Sequence, residues 1–166
     1  MRKIGIFVLL LLSTFIFFTA CSKENTEIDI NYILDCTADI EYKGEKINCN
    51  LYRQAPSRAS IQILSPNFNG LTYYWSGKDF SISYNGLSAK STECLLPQTS
   101  FAVQLMKVID FAEQNKSNLD THGSQVSGNI NGNDFTITAD KSTGLIKSIK
   151  IPQSNISVEL YNHNEK

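Results

Sequence analysis

Ile28-Asp29-Ile30-Asn31-Tyr32-Ile33-Leu34-Asp35-Cys36-Thr37-Ala38-Asp39-Ile40-Glu41-Tyr42 is the stretch that decides the fold class. Every even position from Ile28 to Tyr42 is apolar. Asp29, Asn31, Asp35, Thr37, Asp39 and Glu41 fill the odd ones, and Ile33 alone is out of phase. A period of two marks a strand with one buried face, whereas a helix turns about 100° per residue and would scatter those even positions round its circumference. The Lys43-Gly44-Glu45 turn then opens a second strand, where Ile47, Cys49 and Leu51 alternate with Asn48, Asn50 and Tyr52. Together they predict a long hairpin.

Outward from this hairpin the same period continues. Past Pro56 come Ala59, Ile61 and Ile63, stopped by the turn cluster from Pro66 to Gly70. A fourth strand carries Leu71, Tyr73 and Trp75, and the Ser76-Gly77-Lys78 turn leads to a fifth with Phe80, Ile82 and Tyr84. After Pro97 the period changes: Ser100 suits an N-cap, and Phe101, Leu105, Val108, Ile109 and Ala112 form one helical stripe over residues 100–113. The polar run from Gln114 to Gln125 reads as a loop. Strands resume with Val126 and Ile130 before Asn131-Gly132-Asn133, then Phe135, Ile137 and Ala139. After Thr143-Gly144, Leu145, Ile149 and Ile151 share a face, and Ile156, Val158 and Leu160 close the chain. The expected architecture is mainly β (α+β), with about eight or nine strands and one firm helix. A curved antiparallel sheet or open half-barrel with one or two helices on its concave face satisfies both periods, since one sheet face stays wet and the other is covered.

Several of these pieces, in this order, carry a family resemblance. They are the extended first strand, the Gly hairpin, a third strand ending in Ser65-Pro66-Asn67-Phe68-Asn69-Gly70-Leu71, the hairpin Tyr74-Trp75-Ser76-Gly77-Lys78-Asp79-Phe80-Ser81-Ile82, and the closing run from Ala139 to Ile149. Spanning residues 30–162, they resemble the outer-membrane lipoprotein carrier (LolA/LolB-like) superfamily. The resemblance implies an open half-barrel capped by helices, with an apolar cavity that in the carriers shelters acyl chains. Here it implies a ligand-binding lining of Leu71, Tyr73, Trp75, Phe80 and Ile82 from the sheet, with Leu105 and Ile109 from the helix. The chain departs from the carriers in offering one firm helix where they have several, which points to a smaller or closed cavity. Read from the residues alone, an inward side chain of this kind is plain core, contributing about 1.5–3 kcal/mol by burial. Trp75 stands apart because its indole N–H wants a polar partner and suits a cavity mouth.

The N-terminus supplies an address. Arg2 and Lys3 precede the apolar run Ile4 to Phe18, followed by Thr19-Ala20-Cys21-Ser22, the layout of a secretory signal with a small residue before the cut. The Cys at that cut makes it resemble a bacterial lipoprotein signal, which implies that Cys21 is acylated and becomes the mature N-terminus; Phe18 stands where that family favours Leu. The other reading is an uncleaved anchor, since Ile4 to Ala20 reaches the lower limit of a membrane-spanning helix. The break at Thr19-Ala20 and the polar Ser22-Lys23-Glu24-Asn25 favour processing. The expected organisation is a signal peptide at 1–20, a lipidated tether at 21–27, a half-barrel domain at 28–162 and a tail at 163–166, held at the extracytoplasmic face of the cell membrane. A diacylglyceryl Cys supplies at least two chains, enough for stable anchoring.

Cleavage before Cys21 lowers Lys plus Arg from 15 to 13 and leaves all 16 Asp and Glu, so the net charge becomes −3. The Lys residues are scattered singly, without the basic face that nucleic acid requires. His122 and His163 are the two His residues, and no HExxH, Gly-x-Ser-x-Gly or P-loop pattern surrounds a nucleophile. Pairs such as Asp39 and Glu41 fall on the polar strand face, where solvated carboxylates are expected. No metal-ligand spacing joins Cys36, Cys49 and Cys94 to either His. No catalytic activity, cofactor or metal is therefore expected.

Cys36 and Cys49 share the apolar face of adjacent strands, and export permits a disulfide. A four-residue loop from Glu41 to Gly44 would set them opposite; a two-residue Lys43-Gly44 turn would make them diagonal, at about 7–8 Å, beyond bonding reach. Buried free thiols are the commoner outcome. The functional expectation is a membrane-anchored lipoprotein binding a lipid or other apolar ligand, its protein partners unspecified. The competing reading is an envelope interaction or structural module whose core is filled by its own side chains. Whether the core contains a void separates the two.

Overall fold

The computed structural model describes residues 28–164; the apolar leader, Cys21, the tether and the last two residues lie outside the described residues. Eleven antiparallel strands form one open sheet, and one α-helix joins its two halves. The first half is a meander of β1 (Leu34–Tyr42), β2 (Glu45–Ala55), β3 (Arg58–Ile63), β4 (Thr72–Ser76), β5 (Phe80–Tyr84) and β6 (Leu87–Ser91). Helix α1 (Phe101–Gln114) then carries the chain to the opposite edge. From there β7 (Asp120–His122), β8 (Gln125–Ile130), β9 (Asn133–Ala139), β10 (Ile146–Ile151) and β11 (Ile156–Tyr161) run back to the middle. The order β6-β5-β4-β3-β2-β1-β11-β10-β9-β8-β7 places the first and last strands side by side at the centre.

The first hairpin shows why the register is what it is. Lys43 and Gly44 both take the left-handed conformation, at φ 53° and 86°, a pair that makes a two-residue turn matching the twist of the strands. Tyr42 therefore faces Glu45, and Ala38 faces Cys49. The period-two face of β1 (Leu34, Cys36, Ala38, Ile40) is at most 4% exposed, and it meets the matching faces of β2, β3 and β9 to β11 in one core. Helix α1 adds its stripe to that core through Ala102, Leu105, Ile109 and Ala112, each 0% exposed. Ser100 caps it as expected, accepting the Val103 N–H at 3.4 Å.

Four features depart from the sequence reading. The strand begins at Leu34 and not at Ile28, because residues 28–33 form a lead-in held by a parallel bridge between Asn31 and Leu145. There the Asn31 N–H donates to the Gly144 carbonyl at 3.0 Å, while the Asn31 side chain accepts the Ile33 N–H. Ile30 and Tyr32 are still buried, and the out-of-phase Ile33 is 57% exposed. The strands number eleven because β6 and β7 were invisible. No residue of either is buried, so neither needs an alternating pattern, and β7 with the start of β8 replaces part of the loop read from Gln114 to Gln125. The tail also docks in part: Asn164 donates from its backbone to the Asp35 carbonyl at 2.8 Å and from its side chain to the carboxylate at 3.0 Å.

Candidate functional site

Four of the five sheet residues of the expected lining, Tyr73, Trp75, Phe80 and Ile82, share one face, and Leu71, just before β4, packs against the same core. Ile61 faces Tyr73, Tyr73 faces Ile82 and Ile82 faces Ala89; Ala59 faces Trp75, Trp75 faces Phe80 and Phe80 faces Ser91. Ile61 and Ala59 belong to the buried core, so these rows run from the core outward to the free edge; cover is lost along the Tyr73–Ile82–Ala89 row but not along the Trp75–Phe80–Ser91 row. Phe80 is 2% exposed, with its ring 5.0 Å from that of Trp75. Leu71, Tyr73, Trp75 and Ile82 are half-buried, and Leu87, opposite Tyr84 at the edge, is 77% exposed. Phe101 at the start of α1 reaches Tyr73, ring to ring at 6.5 Å, and burial pushes the Tyr73 phenol above its ordinary value. The helix thus reaches the root of this wing through Phe101.

Leu105 and Ile109 stand elsewhere. Both are 0% exposed inside the packed core beneath the helix, so the expectation that they line a cavity with the sheet residues is corrected: they are filled core. Four of the surface hollows, of about 400 to 620 Å³, are lined by none of the seven expected residues.

Of the two outcomes for Cys36 and Cys49, the structure has the free thiols and not the bridge. The two-residue turn puts Ala38 opposite Cys49 and Leu51 opposite Cys36, which leaves the thiols diagonal, and Cys36, Cys49 and Cys94 are all free. Burial first, then the Asp35 charge, pushes the Cys36 thiol up to about 12. Burial, with Cys36 and Asp39 adding smaller effects, does the same for Cys49. Of the two His residues, His122 is exposed on β7, and a His163 ring nitrogen lies 3.0 Å from the Ile146 carbonyl. No cluster of three metal-ligating side chains occurs among the described residues.

A residue that the sequence reading passed over organises the other end of the helix. Arg53 continues the inward phase of Ile47, Cys49 and Leu51 on β2, and it is 0% exposed. Its Nε and Nη2 donate to Asp110 at 2.9 and 2.7 Å, Nη2 also to Glu113 at 2.5 Å, and Nη1 to the Tyr32 carbonyl at 2.7 Å. Asp110 accepts the Ser57 N–H as well, at 2.9 Å. The signal was available: an Arg at an apolar phase of a strand must find buried acceptors, and the only acidic residues of α1 are Asp110 and Glu113. Comparison of the chain with protein-family models found no match, and comparison with curated proteins found none.

Proposed function

We propose that the protein is a lipoprotein anchored through Cys21 at the extracytoplasmic membrane face, with a half-barrel sheet whose β4–β6 wing takes an acyl chain or similar apolar ligand. The observation that carries this reading is the row Ile61–Tyr73–Ile82–Ala89, which starts in the core and loses cover towards the edge, with the half-buried Leu71 and Trp75 beside Tyr73. An apolar face left uncovered in this way is a place where a ligand or partner is bound. Two ring contacts support a sheet bent round the helix. Phe101 and Phe111 lie about 15 Å apart along the axis. They touch Tyr73 on β4 and Phe135 on β9, strands that a flat sheet would separate by about 29 Å. The ligand face is then smaller than the resemblance implied, without Leu105 and Ile109.

The test uses Trp75, the single Trp of the chain. Titrating the full chain with a fatty acid brominated at mid-chain should quench Trp75 saturably, and Ile82→Asp should abolish the quenching while circular dichroism stays unchanged. Leu105→Asp is no substitute, since a carboxylate at that buried position would unfold the core. Acylation is tested separately: Cys21→Ala should lose label from a radioactive fatty acid. One observation favours the second reading, an envelope module with a filled core: the complete burial of Leu105 and Ile109. No quenching, together with no lipid retained in native mass spectrometry, would select it.

A further inference from the structure

The end of the sheet opposite the lead-in segment carries a hollow of about 500 Å³ with different chemistry. The turn after β1 brings Lys43 to it, the β8–β9 turn Asn131 and the β10–β11 turn Asn155, while the start of α1 contributes Gln104 and Lys107. Val108 and Ile151, both buried, form an aliphatic floor. Two Lys residues and no acidic residue line this hollow; Lys43 Nζ lies 5.0 Å from the centroid of the Tyr42 ring. The other three hollows all contain carboxylates: Asp39, Glu41 and Glu159 in one, Asp29 in the next, Asp35 in the last. In a chain with net charge −1, this hollow alone among the four is cationic.

Its frame is held from several sides. The Lys43 N–H donates to the Asn155 carbonyl at 3.1 Å, and the Thr99 carbonyl accepts from the Tyr42 hydroxyl at 2.8 Å and from Gln104 Nε2 at 3.1 Å. Lys107 Nζ donates to Gln98. Lys43, Asn131 and Asn155 all take left-handed φ values of 51° to 53°. Asn adopts these readily, whereas Lys does so at a cost. Asp134, beside the lining residue Asn133, is not itself in the lining; Asn129 Nδ2 at 2.6 Å and Gln153 Nε2 at 2.8 Å donate to its carboxylate and hold it ionised.

We propose that this hollow binds an anionic saccharide, a sugar unit bearing a carboxylate or a phosphate. Lys43 and Lys107, whose long side chains can swing to a ligand, suit the anion. The Asn and Gln amides both donate and accept, as sugar hydroxyls require, and the aliphatic floor suits the face of a sugar ring. The site lies about a strand's length, ~30 Å, from Leu34 at the lead-in end of β1, so it faces away from the membrane; that orientation rests on the Cys21 reading, and the binding chemistry does not.

Isothermal titration of the full chain at low salt, with tetragalacturonate, its methyl ester, glucose 6-phosphate and inorganic phosphate, tests the proposal. At least one of the two charged sugars should bind, which also tells carboxylate from phosphate, and the ester should not. Lys43→Gln and Lys107→Gln, both at exposed positions, should each weaken binding about tenfold, and Asn131→Asp should do so by adding a like charge while tolerating the same backbone. Trp75 quenching by the brominated fatty acid should be the same in all three variants, so failure at one site is distinguishable from failure at the other. Binding of neither charged sugar, wild-type affinity in the variants, equal binding of acid and ester, or inorganic phosphate binding as tightly as glucose 6-phosphate would each overturn it.

Discussion

Arg53 shows what one buried charge does in an otherwise apolar core. Removing its side chain leaves the Tyr32 carbonyl without its donor and Asp110 and Glu113 facing an emptied site, so Arg53→Ala should lower stability by about 3–5 kcal/mol in urea unfolding. Arg53→Met should cost less. It refills the volume, and Asp110 and Glu113 are 21% and 30% exposed, so their carboxylates can turn to water. The thiols act through pH. Cys36 and Cys49 are pushed up to about 12 from 9.0 and the Tyr32 phenol to about 12 from 10.0, burial being the largest cause in each. The folded state therefore holds protons that the unfolded chain has begun to lose. Stability from these groups is complete below about pH 9 and falls as pH rises towards 12. Urea midpoints at pH 8 and pH 10.5 should show that loss. At pH 8, iodoacetamide should modify the partly exposed Cys94 of the native protein and spare Cys36 and Cys49, as peptide mass spectrometry would reveal.

Among the elements, the helix and the inner strands were legible because each buries a stripe. Ser100, the i, i+4, i+7 spacing of α1 and the alternation of β1 to β5, β8, β9 and β11 are consequences of periods that the core enforces; in β10 a register shift between Ile146 and Ser148 puts Ile146, and not Leu145, in the core with Ile149 and Ile151. The lead-in was not legible as such. Its alternation continues that of β1, but Gly144 decides its path. Gly144 sits at φ 71°, and a Cβ there would stand 2.3 Å from the Asp29 carbonyl oxygen, so only Gly lets the two backbones approach. Gly144→Ala should lift residues 28–31 off the sheet at a cost of about 1–3 kcal/mol. The Asn31 amide, which donates to the Gly144 carbonyl, should then exchange with deuterium as fast as a free amide. Undiminished protection would show that the segment is held by its side chains, Ile30 and Tyr32, instead.

Over the whole molecule, strand order sets a gradient of stability. β1, β11 and β10 lie at the centre with both neighbours paired and inner faces buried, whereas β6 and β7 are edges with no buried residue. Native-state hydrogen exchange should open β6 and β7 first and the β1–β11 pair last. A single cooperative transition for all eleven strands would contradict this. The same order explains why the ends of the described chain meet: the last strand completes the sheet by pairing with the first, Thr37 facing Tyr161 and Tyr42 facing Ile156.

By itself the sequence determined the mainly β class, the first hairpin, the helix and its cap, and the common face of Tyr73, Trp75, Phe80 and Ile82. Each follows from a local period or turn, which the chain carries wherever it folds. Tertiary structure alone decided that Leu105 and Ile109 fill the core, since burial depends on what packs opposite. It also decided that Cys36 and Cys49 stay apart by one diagonal, that β6 and β7 join the sheet, and that Lys43, Asn131, Asn155 and Lys107 meet at one end. Those residues come from three turns and a helix as many as 112 positions apart in sequence, and the pairing of β11 with β1, of β10 with β11 and β9, and the packing of α1 on the core bring them together.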